Sequence, residues 1–163
     1  EMIINPACSI AFEAEPAESN IMSRPPRPTS ESLFGRRVFL ISLWQGIFVL
    51  LASLSVLAYA LANGADDALA RTLAFTTLVI GNLGLILVNR SWHHNVFKAA
   101  KQPNAALWWV IAAALAFLLL VLNAPTLHEV FHFAPITALQ FFYCVLAGVL
   151  SVLWFEIYKA FNK

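Results

Sequence analysis

Glu1 and Asn5 are two residues at the start of the sequence whose side chains could bind a cation. They lie four positions apart, so a regular helix would place both on one face. Pro6 has no backbone N–H and therefore leaves the carbonyl of Met2 without its helical partner. Carboxylate, amide and carbonyl oxygens are the ligands that hard cations take. We therefore predict a partial cation site at Glu1, Asn5 and the Met2 carbonyl; the alternative is that Glu1 only marks where the sequence starts and that Asn5 caps a kink.

Two histidine pairs are further candidates for a metal site. His93 and His94 are adjacent, so on a helix their side chains would point about 100° apart, and no Cys or carboxylate lies at ligand spacing. His128 and His132 lie four positions apart with Glu129 beside them, which is a better spacing for a metal. Such residues are also easily solvated in a loop, and we favour that interpretation for both pairs.

No grouping of residues in the sequence is typical of catalysis. We find no Ser-His-Asp set, no glycine-rich phosphate loop and no paired carboxylates arranged for acid–base chemistry. Cys8 and Cys144 both lie in apolar surroundings, which favours small buried side chains over a disulfide. We therefore predict no catalytic residue and no cofactor bound by this chain itself.

The composition excludes an ordinary soluble domain. Of the 163 residues, 60% are hydrophobic and 12% are charged, and the mean hydropathy is +0.74; soluble domains are about 45–50% apolar. The net charge is +1 and no basic stripe with interleaved aromatic residues is present, so we exclude nucleic acid as a partner.

Four apolar stretches are long enough, or nearly so, to cross a bilayer as helices, which takes about 20 residues each. They cover residues 38–62, 72–89, 105–127 and 130–155, and none contains Asp, Glu, Lys or Arg. A polar, Pro-rich segment at 13–37 precedes them and has the composition of a loop. We predict an all-α integral membrane bundle with four full transmembrane helices in 38–163, preceded by the end of another helix at 1–12.

The distribution of Lys and Arg predicts the orientation of the bundle. If the four spans alternate in direction, nine of the ten basic residues lie on one side and Arg71 lies on the other. The positive-inside rule makes the side with nine cytoplasmic, together with the C-terminus. The nine are Arg24, Arg27, Arg36, Arg37, Arg90, Lys98, Lys101, Lys159 and Lys163.

Residues 21–27, Ile-Met-Ser-Arg-Pro-Pro-Arg, closely resemble the "(I/L)M-x-(K/R)-P-P-R" loop signature of the P-type cation-transporting ATPases. The resemblance extends over nearly the whole chain. The segment before the signature is similar to the end of the family's sixth transmembrane helix, and residues 81–83 and 88–92 are similar to the end of its eighth. The matching residues before the signature are Glu1, Pro6, Ala7, Cys8, Ser9, Phe12 and Glu13.

This resemblance implies that the chain is the C-terminal membrane region of a cation pump, from the middle of helix six through helix ten, in a bacterial calcium- or magnesium-type branch. The implied partners are the N-terminal part of the same pump (helices one to six and the cytoplasmic domains), membrane lipid and the transported cation. The complete pump would use ATP and Mg²⁺, whereas this chain lacks the family's Asp-Lys-Thr-Gly phosphorylation motif and cannot hydrolyse ATP alone. The implied location is a bacterial inner membrane, as a multi-pass protein.

The resemblance also assigns roles to single residues. The positions of Glu1 and Asn5 are among the family's expected cation ligands, and relatives commonly have Asp where this chain has Asn5. Calcium pumps of the animal reticulum type place an acidic ligand at the position of Val79, three residues before Asn82. Because Val79 is apolar, we predict no second calcium site of that kind, and we expect Asn82 to bond a neighbouring helix.

Small and amide side chains within the spans predict helix contacts. Gly81 and Gly84 in one span, with Ala147, Gly148 and Ser151 in another, are spaced for close approach of helix backbones. Gln45 and Gln140 are candidates for buried amides with the same packing role.

Two other functions remain open at this point. One is a self-contained four-span membrane scaffold or regulatory subunit without catalytic activity, which the four clear spans would also fit. The other is an independent channel or carrier; it is disfavoured because the full spans contain no charged residue, and ion pathways through lipid usually need polar or ionisable linings.

Overall fold

Four long helices dominate the computed structural model of the chain, which describes residues 35–90 and 104–161, together with Ser9 and residues 12–14. Helix α1 spans Arg36–Ala62, α2 spans Asp67–Asn89 and α3 spans Ala105–Asn123, while a short α4, Pro125–Phe131, leads to α5, Ala138–Phe161. By length and composition, α1, α2, α3 and α5 could each cross a membrane. The all-α fold with four spans is therefore confirmed.

Polar caps fix where the helices begin and end. The Asp66 carboxylate accepts a hydrogen bond from the Leu69 N–H at 3.0 Å and so caps α2. Asn104 caps α3 in the same way through the Leu107 N–H at 2.9 Å. The first apolar span, 38–62, ends where α1 ends: Asn63 is its C-cap and Gly64 takes the left-handed conformation with φ 79°.

The connection before α5 differs from the sequence expectation. The apolar stretches 105–127 and 130–155 predicted two spans separated by only two residues of sequence. In the structure α3 ends at Asn123, and Pro125 lies in the first turn of the short α4. The following residues cover the bundle rather than span it: the Phe133 ring lies 5.1 Å from that of Phe75, and the Ala134 N–H donates to Thr72 Oγ1 at 2.9 Å. α5 therefore begins at Ala138, beyond Pro135.

Helix α2 is the centre of the bundle. Half of its span is buried, against 22% for α1, 33% for α3 and 28% for α5, because the other three long helices all pack on it. One buried cluster joins α2 to α3 and consists of Val79, Leu83, Ile86, Leu107, Ile111, Ala114, Leu118 and Leu122. Another joins α1, α2 and α5 and consists of Ile41, Val49, Val88, Val152 and Phe155.

The two ends of the bundle carry opposite charges. We call the end where α1 begins and α2 and α5 finish the basic end, since Arg37, Arg90 and Lys159 lie there. We call the opposite end, with Asp66 and Asp67 at the start of α2, the acidic end. The side chains between them on the outer surfaces are largely apolar and exposed, as expected for helices that face lipid or further helices.

Candidate functional site

The predicted cation ligands Glu1, Asn5 and the Met2 carbonyl lie outside the described residues, as do residues 21–27, His93 and His94. Within residues 35–90 and 104–161, no three His, Cys, Asp or Glu side chains come together in a way that could hold a metal ion. What this part of the chain offers instead is a set of contacts that fix α1, α2 and α5 relative to one another. The candidate site is therefore this three-helix interface.

An amide pair links α1 to α2 near the basic end. Gln45 Nε2 donates to Asn89 Oδ1 at 2.9 Å, and Asn89 Nδ2 donates back to Gln45 Oε1 at 3.0 Å. Gln45 is 4% exposed, so each amide supplies the partner that the other would otherwise lack in apolar surroundings. The role predicted for Gln45 is confirmed. Its partner was missed, although an Asn at the end of an apolar span was a usable signal.

Lys159 links α5 to the end of α2. Its ammonium donates to the Val88 carbonyl at 2.9 Å, forms an ion pair with Glu156 and lies 5.4 Å from the centre of the Phe155 ring. The Val88 carbonyl belongs to the last turn of α2, where carbonyls lack helical partners and carry the negative end of the helix dipole. Lys159 thus caps α2 from a neighbouring helix.

The burial of Lys159 was not expected from the sequence, in which we counted it only among the basic residues of the predicted cytoplasmic side. Its side chain is 3% exposed and that of Glu156 is 18% exposed. The available signal was local: Glu156 lies three positions and Phe155 four positions before Lys159, so the three share one helix face.

A third link closes the basic end. The Arg37 guanidinium donates to Tyr158 Oη at 3.2 Å and joins the start of α1 to the end of α5. With the amide pair between α1 and α2 and the lysine cap between α5 and α2, each of the three helices is hydrogen-bonded to both others. We call this set the basic-end links.

Near the middle of the bundle, glycines let α2 cross α1 and α5 closely. A Cβ at Gly148 would lie 2.7 Å from Ile80 Cγ2 and 3.1 Å from the backbone nitrogen of Gly81. A Cβ at Gly81 would lie 2.8 Å from Val49 Cγ1. Real side chains essentially never approach so closely, and the close contacts predicted for these small residues are confirmed.

Hydroxyl and thiol groups join the helices in the half toward the acidic end. Ser53 Oγ donates to the Ala74 carbonyl at 2.9 Å, and Cys144 Sγ donates to the Leu73 carbonyl at 3.4 Å. Cys144 is a free cysteine with 1% exposure, as predicted for a small buried side chain. The threonines in this half of α2 bond carbonyls four residues back in their own helix, at 2.7, 2.8 and 2.9 Å for Thr72, Thr76 and Thr77.

Beyond the glycine crossing, α1 and α5 leave a groove against α2. Its volume is about 1150 Å³, and none of its lining residues is charged. Its wall runs from Phe48 and Leu150 near the middle of the bundle to Tyr59, Asn63 and Gln140 toward the acidic end. We call this space the α1/α5 groove.

Gln140 does not have the role that its sequence predicted. It is half-buried, and its Oε1 accepts from the Thr137 N–H at 2.8 Å, while Thr137 Oγ1 accepts from the Gln140 N–H at 3.3 Å. This reciprocal pair is a capping box that starts α5. The prediction of an amide joining two helices was wrong because the Thr three positions earlier takes the side chain.

The remaining candidate residues occupy structural positions. Val79 is 5% exposed within the cluster that joins α2 to α3, and Asn82 is half-buried on α2. The ring of His128 is hydrogen-bonded to the Leu122 carbonyl through Nε2 at 2.9 Å, and His132 ends α4 with φ 52°. These two histidines therefore cap helix ends in the connection between α3 and α5.

Comparison with known proteins places the chain in context. The family described as "Cation transporting ATPase, C-terminus" matches residues 1–161. A "Calcium-transporting ATPase" of Bacillus subtilis (strain 168) is 28% identical over 132 residues, which is 79% of this chain and 14% of the relative. A "Calcium-transporting ATPase type 2C member 2" of Mus musculus is 27% identical over 161 residues, 97% of this chain and 17% of the relative. The chain thus spans less than a fifth of the length of these relatives.

Proposed function

The chain belongs to the C-terminal family of cation-transporting ATPases, and from that premise we propose that it is the membrane support of an ATP-driven cation pump. As a multi-pass membrane bundle it would hold the pump's ion-binding helices and contribute part of the cation site. The rest of the pump, with helices one to six and the cytoplasmic domains, would supply ATP hydrolysis, with ATP and Mg²⁺ bound there. No catalytic step is assigned to residues of this chain.

The observation that carries the supporting role is the way in which α2 is held. The amide pair with α1 and the lysine cap from α5 fix its end, and the glycine crossing fixes its middle. Because α2 is hydrogen-bonded at its end and packed closely at its middle, it would present a rigid surface against which mobile helices can move. In this way α2 would support the cation site without itself contacting the ion.

Replacing Lys159 by Met in the full-length pump tests this role. We expect the variant to bind nucleotide normally but to need more cation for half-maximal ATPase activity, because the end of α2 is no longer fixed. Arg71→Met is the control, since Arg71 is exposed at the acidic end and lies away from the basic-end links. Unchanged cation dependence in a correctly inserted Lys159→Met pump would contradict the supporting role.

We further propose that Glu1, Asn5 and the Met2 carbonyl form part of the site for the transported cation, and that this cation is Ca²⁺. The support is the oxygen-ligand pattern of these residues and the calcium-transporting names of both relatives. Metal-stimulated ATPase activity of the full-length pump, measured with Ca²⁺, Mg²⁺, Mn²⁺, Na⁺ and K⁺, identifies the ion. If Asn5→Asp and Asn5→Ala both leave selectivity and affinity unchanged, Asn5 is not a ligand.

The proposed orientation places the basic end in the cytoplasm of a bacterial cell, with the pump in the inner membrane. Its support is the excess of Lys and Arg at that end. The variants Arg37→Cys and Asp67→Cys test this orientation when intact cells are treated with a membrane-impermeant thiol reagent. Only the cysteine at position 67 should react.

The alternative is a self-contained four-span protein. A mature protein of about the mass of this chain, 18.0 kDa, in native membranes would favour it.

A further inference from the structure

We infer that residues 132–137 form a strap that holds α3 in place on α2, with the Thr72 hydroxyl as its latch. Opening the latch lets α3 shift as a unit against α1, α2 and α5. This device depends on the packing of the bundle and on no step of transport.

Helix α3 is attached to the bundle differently from α1 and α5. The basic-end links and the glycine crossing join α1, α2 and α5 to one another. Helix α3 has no glycine, and it meets α2 through bulky side chains such as Leu107, Ile111 and Leu118, which keep the two backbones farther apart than glycines do. Because apolar contacts have no direction, these side chains alone do not fix the position of α3 along α2.

The strap supplies directional contacts toward the acidic end. Its Ala134 N–H donates to Thr72 Oγ1 at 2.9 Å, and its Phe133 ring lies 5.1 Å from that of Phe75. Ile136 packs against the cluster that joins α2 to α3 and also against a cluster that joins α1, α2 and α5. Since α3 leads through α4 into the strap, these contacts tie α3 to the other long helices.

Thr72 is suited to be the latch because its hydroxyl bonds in two directions. It donates to the Ala68 carbonyl of its own helix at 2.7 Å, which leaves a lone pair directed at the Ala134 N–H. The residue is 0% exposed, so water does not compete for this bond.

The backbone at the start of the strap also favours release. His132 has φ 52° although it is not a glycine, and L side chains adopt this left-handed conformation only at some cost. The contacts of the strap with α2 therefore hold it in place against the preference of its own backbone.

The test measures distances between spin labels, introduced as non-natural amino acids, in the full-length pump in lipid nanodiscs. Labels at Asp67 and Leu119 report on α2 and α3, while labels at Asp67 and Phe142 report on α2 and α5; all three positions are exposed. We expect Thr72→Val to shift or broaden the distance between positions 67 and 119 by about 2 Å or more, the size of helix movements between packed states. The distance between positions 67 and 142 should not change.

Thr76→Val is the matched control. Thr76 is also 0% exposed, and its hydroxyl donates to the Thr72 carbonyl of the same helix, so the change should leave both distances as they are. Thr72→Ser keeps the hydroxyl and should likewise have no effect. Phe133→Ala loosens the strap from its own side, should act as Thr72→Val does, and replaces it if that variant does not fold.

Other results would overturn the inference. An unchanged distance between positions 67 and 119 in both Thr72→Val and Phe133→Ala would show that packing on α2 is enough to hold α3. Equal shifts of both distances would show that the whole bundle loosens and that α3 is not a separate unit. The same shift in Thr76→Val or Thr72→Ser would show that the bond between Thr72 and Ala134 is not the latch.

Discussion

The two halves of the interface between α1 and α5 differ in how they are held together. Toward the basic end, Arg37 joins α1 to α5 directly, and Gln45 and Lys159 join each of them to α2. Toward the acidic end, the same helices leave a groove of about 1150 Å³. The difference shows that fixing one end of a helix pair does not require close packing along its whole length.

The residue types explain this difference. Gly81 and Gly148 bring the three helices into close contact at the crossing. Past the crossing, small side chains such as Ala52, Ser55 and Ala147 line the facing surfaces and leave the space between them unfilled. Within a bilayer this space faces lipid or further helices and not water, so the hydrophobic effect does not drive α1 and α5 to close it.

The largest effect on stability is expected from Lys159→Met, which removes one of the basic-end links. The change removes the Lys159 ammonium from the Val88 carbonyl and from its ion pair with Glu156, and loss of one partner of a buried ion pair costs about 3–5 kcal/mol. Because Glu156 is partly exposed, we expect about 3 kcal/mol. Unfolding titrations of the 163-residue chain in mixed micelles, followed by circular dichroism, measure it, and Lys159→Met/Glu156→Gln should recover part of the loss.

A smaller loss is expected from Gly148→Ala at the crossing. The new methyl group would meet Ile80 and the backbone of Gly81, and overpacking of this kind costs about 1–3 kcal/mol. Gly46→Ala is the matched control, because nothing lies within 4 Å of its Cβ position; it should be neutral or slightly stabilising. Equal effects of the two changes in the same titration would mean that α2 and α5 do not cross closely.

A still smaller effect is expected at the amide pair. Gln45→Leu leaves the Asn89 amide without its reciprocal partner, and hydrogen bonds between membrane helices contribute about 1 kcal/mol or less. A double-mutant cycle with Asn89→Leu isolates the interaction, and the double variant should be more stable than the sum of the single losses predicts. Strict additivity would show that the two side chains do not interact.

Much of the fold could be predicted from sequence because membrane helices are defined by length and apolarity. The four spans followed from length and composition alone. The start of α5 did not, because Phe133, Ala134 and Ile136 are as apolar as a span but pack against α2 instead. Apolarity shows that a residue avoids water and does not show which surface covers it.

The interface was harder to predict than the spans. The glycine crossing and Gln45 were found because small and amide side chains stand out within apolar helices. Lys159 was missed because a charged residue at a helix end usually faces water, and its burial depends on a carbonyl contributed by residue 88 of another helix. Partners so distant in sequence are set by helix packing, which a single sequence does not specify.

The smallest effect on stability is expected from Ala147→Leu, at the residue next to Gly148. Ala147 lines the α1/α5 groove, so the larger side chain enters open space, whereas a methyl group at position 148 meets α2. We expect a change within about 0.5 kcal/mol, as for substitutions away from packed cores, in the titration used for Gly148→Ala. A loss as large as that of Gly148→Ala would mean that this half of the interface is packed as closely as the crossing, and the contrast between the two halves would then be wrong.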